Sequence, residues 1–345
     1  HKKEGICMMT KGITMKRICA ALLTAAWIGV LSGAADAAGT NPYTNVKALT
    51  VSGQEEAAYI DQKMTEFFRP VTSAGGGSGG YEAPAPWQEQ NLVFDSVPVL
   101  KYTNPKGKSD RTVLFLHGGG YIGGLHGRYL DWGLHQGDLA DAGTLFAVDY
   151  RLAPEHTYPA ALEDAVTAYR AILKEGTDPR QIVLVGDSAG GNLAAALLLS
   201  LRDNKMPLPK AAILISPWGY LGSDLPSHMN NIPKDQVLGA KNVRLGGEVA
   251  HPSYRKDAPV TDPYISPVYA DLTGLPPMLI TAGGDELFLD DAALLAAHAT
   301  AAGVPVQFTI YPRMSHDWTL LLPELPESAA MDAEIRQFVD AQLKR

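Results

Sequence analysis

The sequence predicts an α/β protein whose mostly parallel central sheet is covered by helices on both faces, and three observations predict it. Strand-like and helix-like segments alternate from about Leu92 to Leu201, the pattern that sets parallel strands between crossover helices. The β-branched run Gln181-Ile182-Val183-Leu184-Val185 passes through Gly186-Asp187-Ser188-Ala189-Gly190-Gly191 into an Ala/Leu-rich helical run, residues 192–199. Two later strand-like runs, residues 277–282 and 306–311, end in polar turns that carry Asp285 and His316. In open α/β sheets functional groups gather outside the carboxyl ends of the strands, and Ser188, Asp285 and His316 all fall there.

Taken from the N-terminus, Met15-Lys16-Arg17 is a short positive segment, residues 18–31 form a 14-residue apolar run, and Ala35-Asp36-Ala37 offers a small-x-small cleavage pattern. These parts read as a secretory signal cleaved after Ala37. The apolar run is shorter than the ~20 residues of a membrane span, and an uncleaved anchor is the alternative. Residues 1–14 read as an upstream extension. The expected location is therefore exported, periplasmic or secreted, with no stable membrane insertion of the mature chain. Both cysteines, Cys7 and Cys19, precede the cleavage site, so the mature chain is expected to hold no disulfide. Residues 54–68 have a helical pattern. The run Gly75 to Gly80 lacks the Lys-Ser/Thr of a phosphate loop and reads as a flexible connection to Pro84-Ala85-Pro86-Trp87. Beyond the strand at 211–215 the pattern breaks, and residues 218–262 are polar, turn-rich and weakly periodic. A stretch of that length inside a compact domain is usually an inserted functional segment.

The turn at Ser188 has the context of a nucleophile elbow, in which a strained strand-to-helix turn exposes a serine hydroxyl above the sheet. Its flanking glycines avoid collision with neighbouring backbone, and the helix N-terminus favours developing negative charge. The pentapeptide alone also occurs in ordinary loops, so the rest of the chain decides. His117-Gly118-Gly119-Gly120 follows the strand-like residues 112–116. Such a segment supplies backbone N–H donors to the tetrahedral oxyanion of acyl transfer. The expected donors are the N–H groups of Gly118, Gly119 and Ala189, with His117 holding the loop. An acid and a histidine then follow in the order Ser…Asp…His. Ser188 is expected as nucleophile, His316 as general base and acid, and Asp285 as the orienting carboxylate. Asp290 and Asp291 are close in sequence, but they enter a helix and suit its first turn.

With these segments the chain resembles the hormone-sensitive-lipase-like, bacterial carboxylesterase group of α/β-hydrolases. The resemblance also rests on Asp149 to His156, Tyr158 to Asp164, Asp262-Pro263-Tyr264-Ile265-Ser266-Pro267 and Ser315-His316-Asp317, and covers residues 85–345. It implies the α/β-hydrolase fold and the same three catalytic residues, with one departure: the family often has Asp-Pro-Leu where this chain has Asp285-Glu286-Leu287. It also implies that the insertion and the N-terminal helix form a helical cap. The expected organisation is 1–37 extension and signal, 38–90 N-terminal cap segment, 91–217 with 263–345 catalytic domain, and 218–262 inserted cap segment. Trp87, Tyr121, Trp218 and Tyr220 are candidate pocket walls. Arg151, Glu155, His156, Glu163 and Asp164 read as a charge network bracing a strand-helix connection.

Composition narrows the remaining choices. The formal charge of −8, without a basic cluster, argues against nucleic acid as partner. No C-x-x-C, H-E-x-x-H or EF-hand pattern is present, so no metal or other cofactor is expected. The expected partner is a small-molecule ester; the oligomeric state is open. A serine carboxylesterase of short acyl esters is the leading reading, with amide or lactone hydrolysis as variants. A non-catalytic ligand-binding protein on the same fold is the alternative from another class. For an unperturbed histidine base, activity is expected to rise through an apparent pKa of roughly 6–7.5.

Overall fold

The computed structural model describes residues 41–44, 46–68 and 81–343. The expected signal segment and the glycine run 75–80 lie outside these residues. Eight strands form one sheet: β1 (Gln88–Phe94), β2 (Val97–Thr103), β3 (Lys108–Leu116), β4 (Ala142–Val148), β5 (Ile182–Asp187), β6 (Ala211–Ile215), β7 (Met278–Gly283) and β8 (Val306–Tyr311). Their order is β1-β2-β4-β3-β5-β6-β7-β8. β1 and β2 pair antiparallel, β2 joins β4 antiparallel, and every pair from β4 through β8 is parallel.

The turn between β1 and β2 holds Asp95 and Ser96 at φ +47° and +75°, the twist a two-residue hairpin requires. The helices are α1 (Gly53–Phe67), α2 (Gly127–Leu139), α3 (Ala160–Lys174), α4 (Ser188–Asp203), α5 (Pro226–Asn230), α6 (Val243–Ala250), α7 (Leu289–Ala301), α8 (Trp318–Leu321) and α9 (Pro326–Gln342). Every residue of β5, β6 and β7 is buried. Only a sheet covered on both faces can do this, and it explains why those strands read as continuous apolar runs rather than alternating ones.

The sheet begins at Gln88, a few residues before the expected boundary at 91, because Trp87 is already in the core, 4% exposed. Residues 218–262 contain α5 and α6 joined by turns. The ends of that segment belong to the core: Trp218, Leu221 and Tyr254 are buried. The N-terminal residues are strapped to the far end of the chain. The Tyr43 hydroxyl donates to the Leu320 carbonyl at 2.6 Å, the Leu49 N–H donates to the Glu324 carbonyl at 2.9 Å, and Arg313 pairs with Glu56 on α1 at 2.6 Å. Arg151 pairs with Asp164 at 2.8 Å and with Glu163 at 3.2 Å, bracing β4 to α3 as the sequence suggests. Glu155 and His156 of the same motif are exposed. Among the described residues no helix is long and apolar enough to cross a membrane.

Candidate active site

β5 runs into α4 without an intervening residue, so Asp187 ends the strand and Ser188 opens the helix. The turn holds Ser188 at φ +53°, a left-handed conformation that costs a residue with a side chain roughly 1–2 kcal/mol. Two glycines allow the close approach. A Cβ on Gly186 would lie 2.3 Å from the Gly190 carbonyl oxygen, and one on Gly190 would lie 2.0 Å from that of Leu116. The result aims the serine at the loops beyond β7 and β8, with the free N–H groups of the first helical turn beside it.

Those two loops are in backbone contact. Gly284 N–H donates to the Tyr311 carbonyl at 2.8 Å and Asp285 N–H to that of Met314 at 3.1 Å. A Cβ on Gly283 would come within 2.2 Å of the Met314 oxygen. This contact carries His316 over α4, where its Nε2 lies 2.9 Å from Ser188 Oγ. The Phe288 ring meets the imidazole edge to face at 4.9 Å, which limits its rotation.

The carboxylate brought to the other side of the imidazole, where Asp285 was expected, is that of Glu286. Glu286 Oε2 lies 3.7 Å from His316 Nδ1, an ion-pair separation slightly longer than a hydrogen bond. Glu286 is wholly buried and Oε2 accepts from the Ser216 hydroxyl at 2.6 Å. Asp285 is half-buried, and its carboxylate has no partner among the described residues. The Gly284 and Asp285 N–H groups are both bonded to the Tyr311–Met314 loop, and it is the second acid of the pair that is buried. Asp290 and Asp291 are occupied elsewhere. Asp290 accepts from the Ser227 N–H at 2.8 Å, and Asp291 accepts from the Tyr220 N–H at 2.8 Å and meets His228 at 2.6 Å. Both fasten the insertion to α7.

A second carboxylate, unforeseen in the sequence, lies beside the serine. Asp317 Oδ2 is 3.0 Å from His316 Nε2, and Asp317 sits at φ +49° with 4% exposure. Burial opposes charge on His316, but the carboxylates of Asp317 and Glu286 outweigh it and hold its pKa well above the ordinary histidine value. Burial also pushes the Glu286 carboxyl up to about 7, against the pull of His316. Asp187, fully buried, is raised by burial and then by the negative charge of Asp317.

The glycine loop differs from expectation by one residue. The Gly118 N–H donates to Asp187 Oδ1 at 2.9 Å, so it is committed to holding the loop, and its assignment as an oxyanion donor is corrected. Gly119 and Gly120 line the cavity at the serine, and among the described residues their N–H groups have no acceptor. Both have positive φ, +101° and +64°, which only glycine adopts at little cost. With the Ala189 N–H of the first turn of α4, they form the available donor set. His117 is buried and stacked on Tyr150 at 4.2 Å. Burial lowers its pKa to about 3, so it is a neutral brace for the loop.

The serine opens into a largely apolar cavity. Its floor includes Trp218 and Phe288, and its roof joins Phe67 and Phe68 at the end of α1 to Val237, Leu238 and Val249 of the insertion. Of the four expected wall aromatics, Trp218 lies on this cavity. Trp87 instead packs against α2, with its indole N–H donating to Asp138 at 3.0 Å. Tyr121 stacks on Tyr254 at 3.8 Å and donates to Asn192. Tyr220 donates to Asp224 and packs near His228. These three are corrected: each hydroxyl or indole N–H found a partner inside the packed layers.

A family model described as the alpha/beta hydrolase fold matches residues 113–320, a span that includes Ser188, Glu286 and His316. The chain is 41% identical over 227 residues to an acetyl-hydrolase of Streptomyces hygroscopicus, covering 66% of this chain and 74% of that protein. Among solved structures, an esterase/lipase from an uncultured bacterium superposes with a TM-score of 0.74 at 32% identity, covering 84% of this chain and 99% of that one. An esterase of the bacterial hormone-sensitive lipase family superposes with a TM-score of 0.72 at 33% identity, covering 85% and 100%.

Proposed function

The chain belongs to the alpha/beta hydrolase family, and from that membership we propose that it is a serine carboxylesterase acting on esters of short acyl chains. One observation carries the reading: a serine held at a strained strand-helix turn with its hydroxyl 2.9 Å from an imidazole nitrogen. In the proposed cycle Ser188 Oγ attacks the ester carbonyl while His316 Nε2 takes its proton. The N–H groups of Gly119, Gly120 and Ala189 receive the oxyanion. Collapse of the tetrahedral species releases the alcohol, to which Nε2 returns the proton, and leaves an acyl group on Ser188. Water, deprotonated by the same nitrogen, then releases the acid. Glu286 orients His316 through Nδ1 and offsets the charge of the imidazolium; closing the 3.7 Å gap accompanies substrate binding.

The short-chain preference is supported by the roof that residues of the N-terminal segment (38–90) and the insertion (218–262) place over the serine. Each acyl methylene buried there contributes about 0.8 kcal/mol until the chain meets a wall. Export follows from the N-terminal signal pattern and belongs to the same reading. The test is a p-nitrophenyl ester series, with an amide and a lactone included. The specificity constant is expected to peak between about two and six acyl carbons, where the gain per buried methylene ends. A constant that climbs to about sixteen carbons would make the enzyme a lipase.

A further inference from the structure

Asp317 poses an electrostatic problem that the esterase cycle does not resolve. Its Oδ2 faces His316 Nε2 at 3.0 Å, and its Oδ1 is buried without a hydrogen-bond partner among the described residues. Among the described residues the imidazole is the side chain within ion-pair distance of its carboxylate, with the Tyr129 hydroxyl as a neutral neighbour. That contact is favourable when Nε2 carries a proton. To act as base, however, His316 must present a bare Nε2 lone pair, and a lone pair offers the carboxylate nothing. In the reactive state Asp317 becomes a buried carboxylate without a cationic partner among the described residues, a costly arrangement unless one is supplied.

Among the described residues no cation of the lining supplies it. Asp317 lines the cavity with Ser188 and His316. The other charged side chain of the lining is Glu248, whose carboxylate already accepts from the Ser253 hydroxyl and N–H. Among the described residues, lysine and arginine do not occur in the lining. Arg128 is a cation near the roof, its guanidinium held 5.1 Å from the ring centre of Phe67. Behind the site, Asp187 adds a further carboxyl group to the same field. A cation carried by the substrate would supply the counter-charge that the described lining residues lack.

The position of Asp317 says which arm of the substrate. Nε2 returns its proton to the leaving oxygen, so a carboxylate 3.0 Å from Nε2 borders the space of the departing alcohol. We propose that Asp317 selects the alcohol arm, favouring esters whose leaving group carries a cationic ammonium group. The proposal rests on the esterase reading and names its substrate class. A cation on that arm replaces the lost imidazolium contact just when His316 becomes neutral, and it also offsets the charge of Asp317 and Glu248.

The experiment compares two acetate esters of one shape: acetylcholine, and its carbon isostere with a tert-butyl group in place of trimethylammonium. The ratio of their kcat/KM values is measured for the wild-type enzyme and for Asp317→Asn. The substitution also alters His316, but that change acts on both esters and cancels in the ratio, whereas loss of a substrate contact does not. The ratio is expected to favour the cationic ester in the wild type and to fall about tenfold or more in the variant. An unchanged ratio, or a wild-type enzyme that hydrolyses p-nitrophenyl acetate without favouring the cation, overturns the inference and leaves the esterase reading standing. A folded wild-type enzyme that hydrolyses none of the three esters overturns the esterase reading itself. If the variant does not fold, wild-type inhibition decides. Choline is expected to inhibit p-nitrophenyl acetate hydrolysis about tenfold more tightly than its carbon isostere 3,3-dimethylbutan-1-ol, and equal inhibition overturns the proposal.

Discussion

Glu286 and Ser216 share one short hydrogen bond, 2.6 Å from hydroxyl to Oε2, deep beneath His316. Ser216 sits at the end of β6 at φ +45°, so the strand that neighbours β5 fixes the acid while β5 itself fixes the nucleophile. Glu286→Gln is expected to lower kcat by roughly 10³–10⁴, through loss of the imidazole's orientation and charge partner. Asp285→Asn, on a half-buried carboxylate without partner, is expected to stay within about threefold of wild type. Steady-state turnover of p-nitrophenyl butyrate checks both. A crippled Asp285→Asn beside a working Glu286→Gln would restore the first acid as the triad member.

The pH profile follows from the same carboxylates. His316 must be neutral to accept the serine proton, and its pKa is held well above the ordinary value although burial opposes this. The groups that face it are Asp317 beside it, Glu286 beyond β7, Asp187 at the end of β5 and Asp235 of the insertion. A base with a raised pKa stays protonated and idle through neutrality, so activity is expected to appear only as pH rises through that raised value. Glu286, pushed up to about 7, must also ionise, which moves the limb the same way. The limb is therefore expected above the ordinary histidine range, and its apparent pKa belongs to the coupled groups. Asp317→Asn is expected to move it down by about one unit or more. A wild-type limb near 6.5 that Asp317→Asn leaves in place would count against this account.

Strain at the nucleophile gives a stability prediction. Ser188 holds φ +53°, which glycine tolerates and alanine does not. Both Ser188→Ala and Ser188→Gly are expected to lose about 10⁴–10⁶ in turnover. Ser188→Gly is expected to melt about 2 °C above Ser188→Ala, since relief of strain near 1 kcal/mol shifts a domain of this size by that much. Equal melting temperatures would mean that the turn stores little strain.

What could be read from the sequence was what local rules enforce. A glycine-flanked serine between a β-branched strand and an alanine-rich helix has few other uses, and Gly186 and Gly190 are needed because backbone oxygens lie within 2.3 Å of any Cβ there. His316 followed from its place beyond a strand. The choice between Asp285 and Glu286 was not legible, because adjacent residues of a turn point opposite ways and the path of Gly283-Gly284 is set by contact with the Met314 loop. The same limit applies to the glycine triplet: three identical residues hide the fact that the first is fastened to Asp187. Aromatic character did not separate Trp218 from Trp87, Tyr121 and Tyr220, since cavity and core both take large rings. Asp317 escaped notice because its role depends on a left-handed backbone at +49°.

Asp235 ties the roof of the cavity to the triad acid, and this gives the last prediction. Its buried carboxylate accepts from the N–H groups of Val237 at 2.9 Å and Leu238 at 3.1 Å, both on the cavity wall, and from that of Leu287 at 2.8 Å, next to Glu286. Asn231 adds a bond to the Glu286 carbonyl at 2.8 Å, and the Gln236 N–H reaches the Ser315 hydroxyl at 3.2 Å. Removing the Asp235 carboxylate leaves buried N–H groups without acceptors, at about 1–3 kcal/mol each before relaxation. Asp235→Ala is therefore expected to lower the melting temperature by several degrees. Measured well below that transition, its kcat is expected to fall about tenfold, because the Glu286 turn and the wall at Val237 lose their common anchor. Asp290→Asn, which weakens a tie of the insertion away from Glu286, is the matched control and is expected to change stability more than kcat. A folded Asp235→Ala enzyme with wild-type kcat would show that the insertion walls the pocket without positioning the triad.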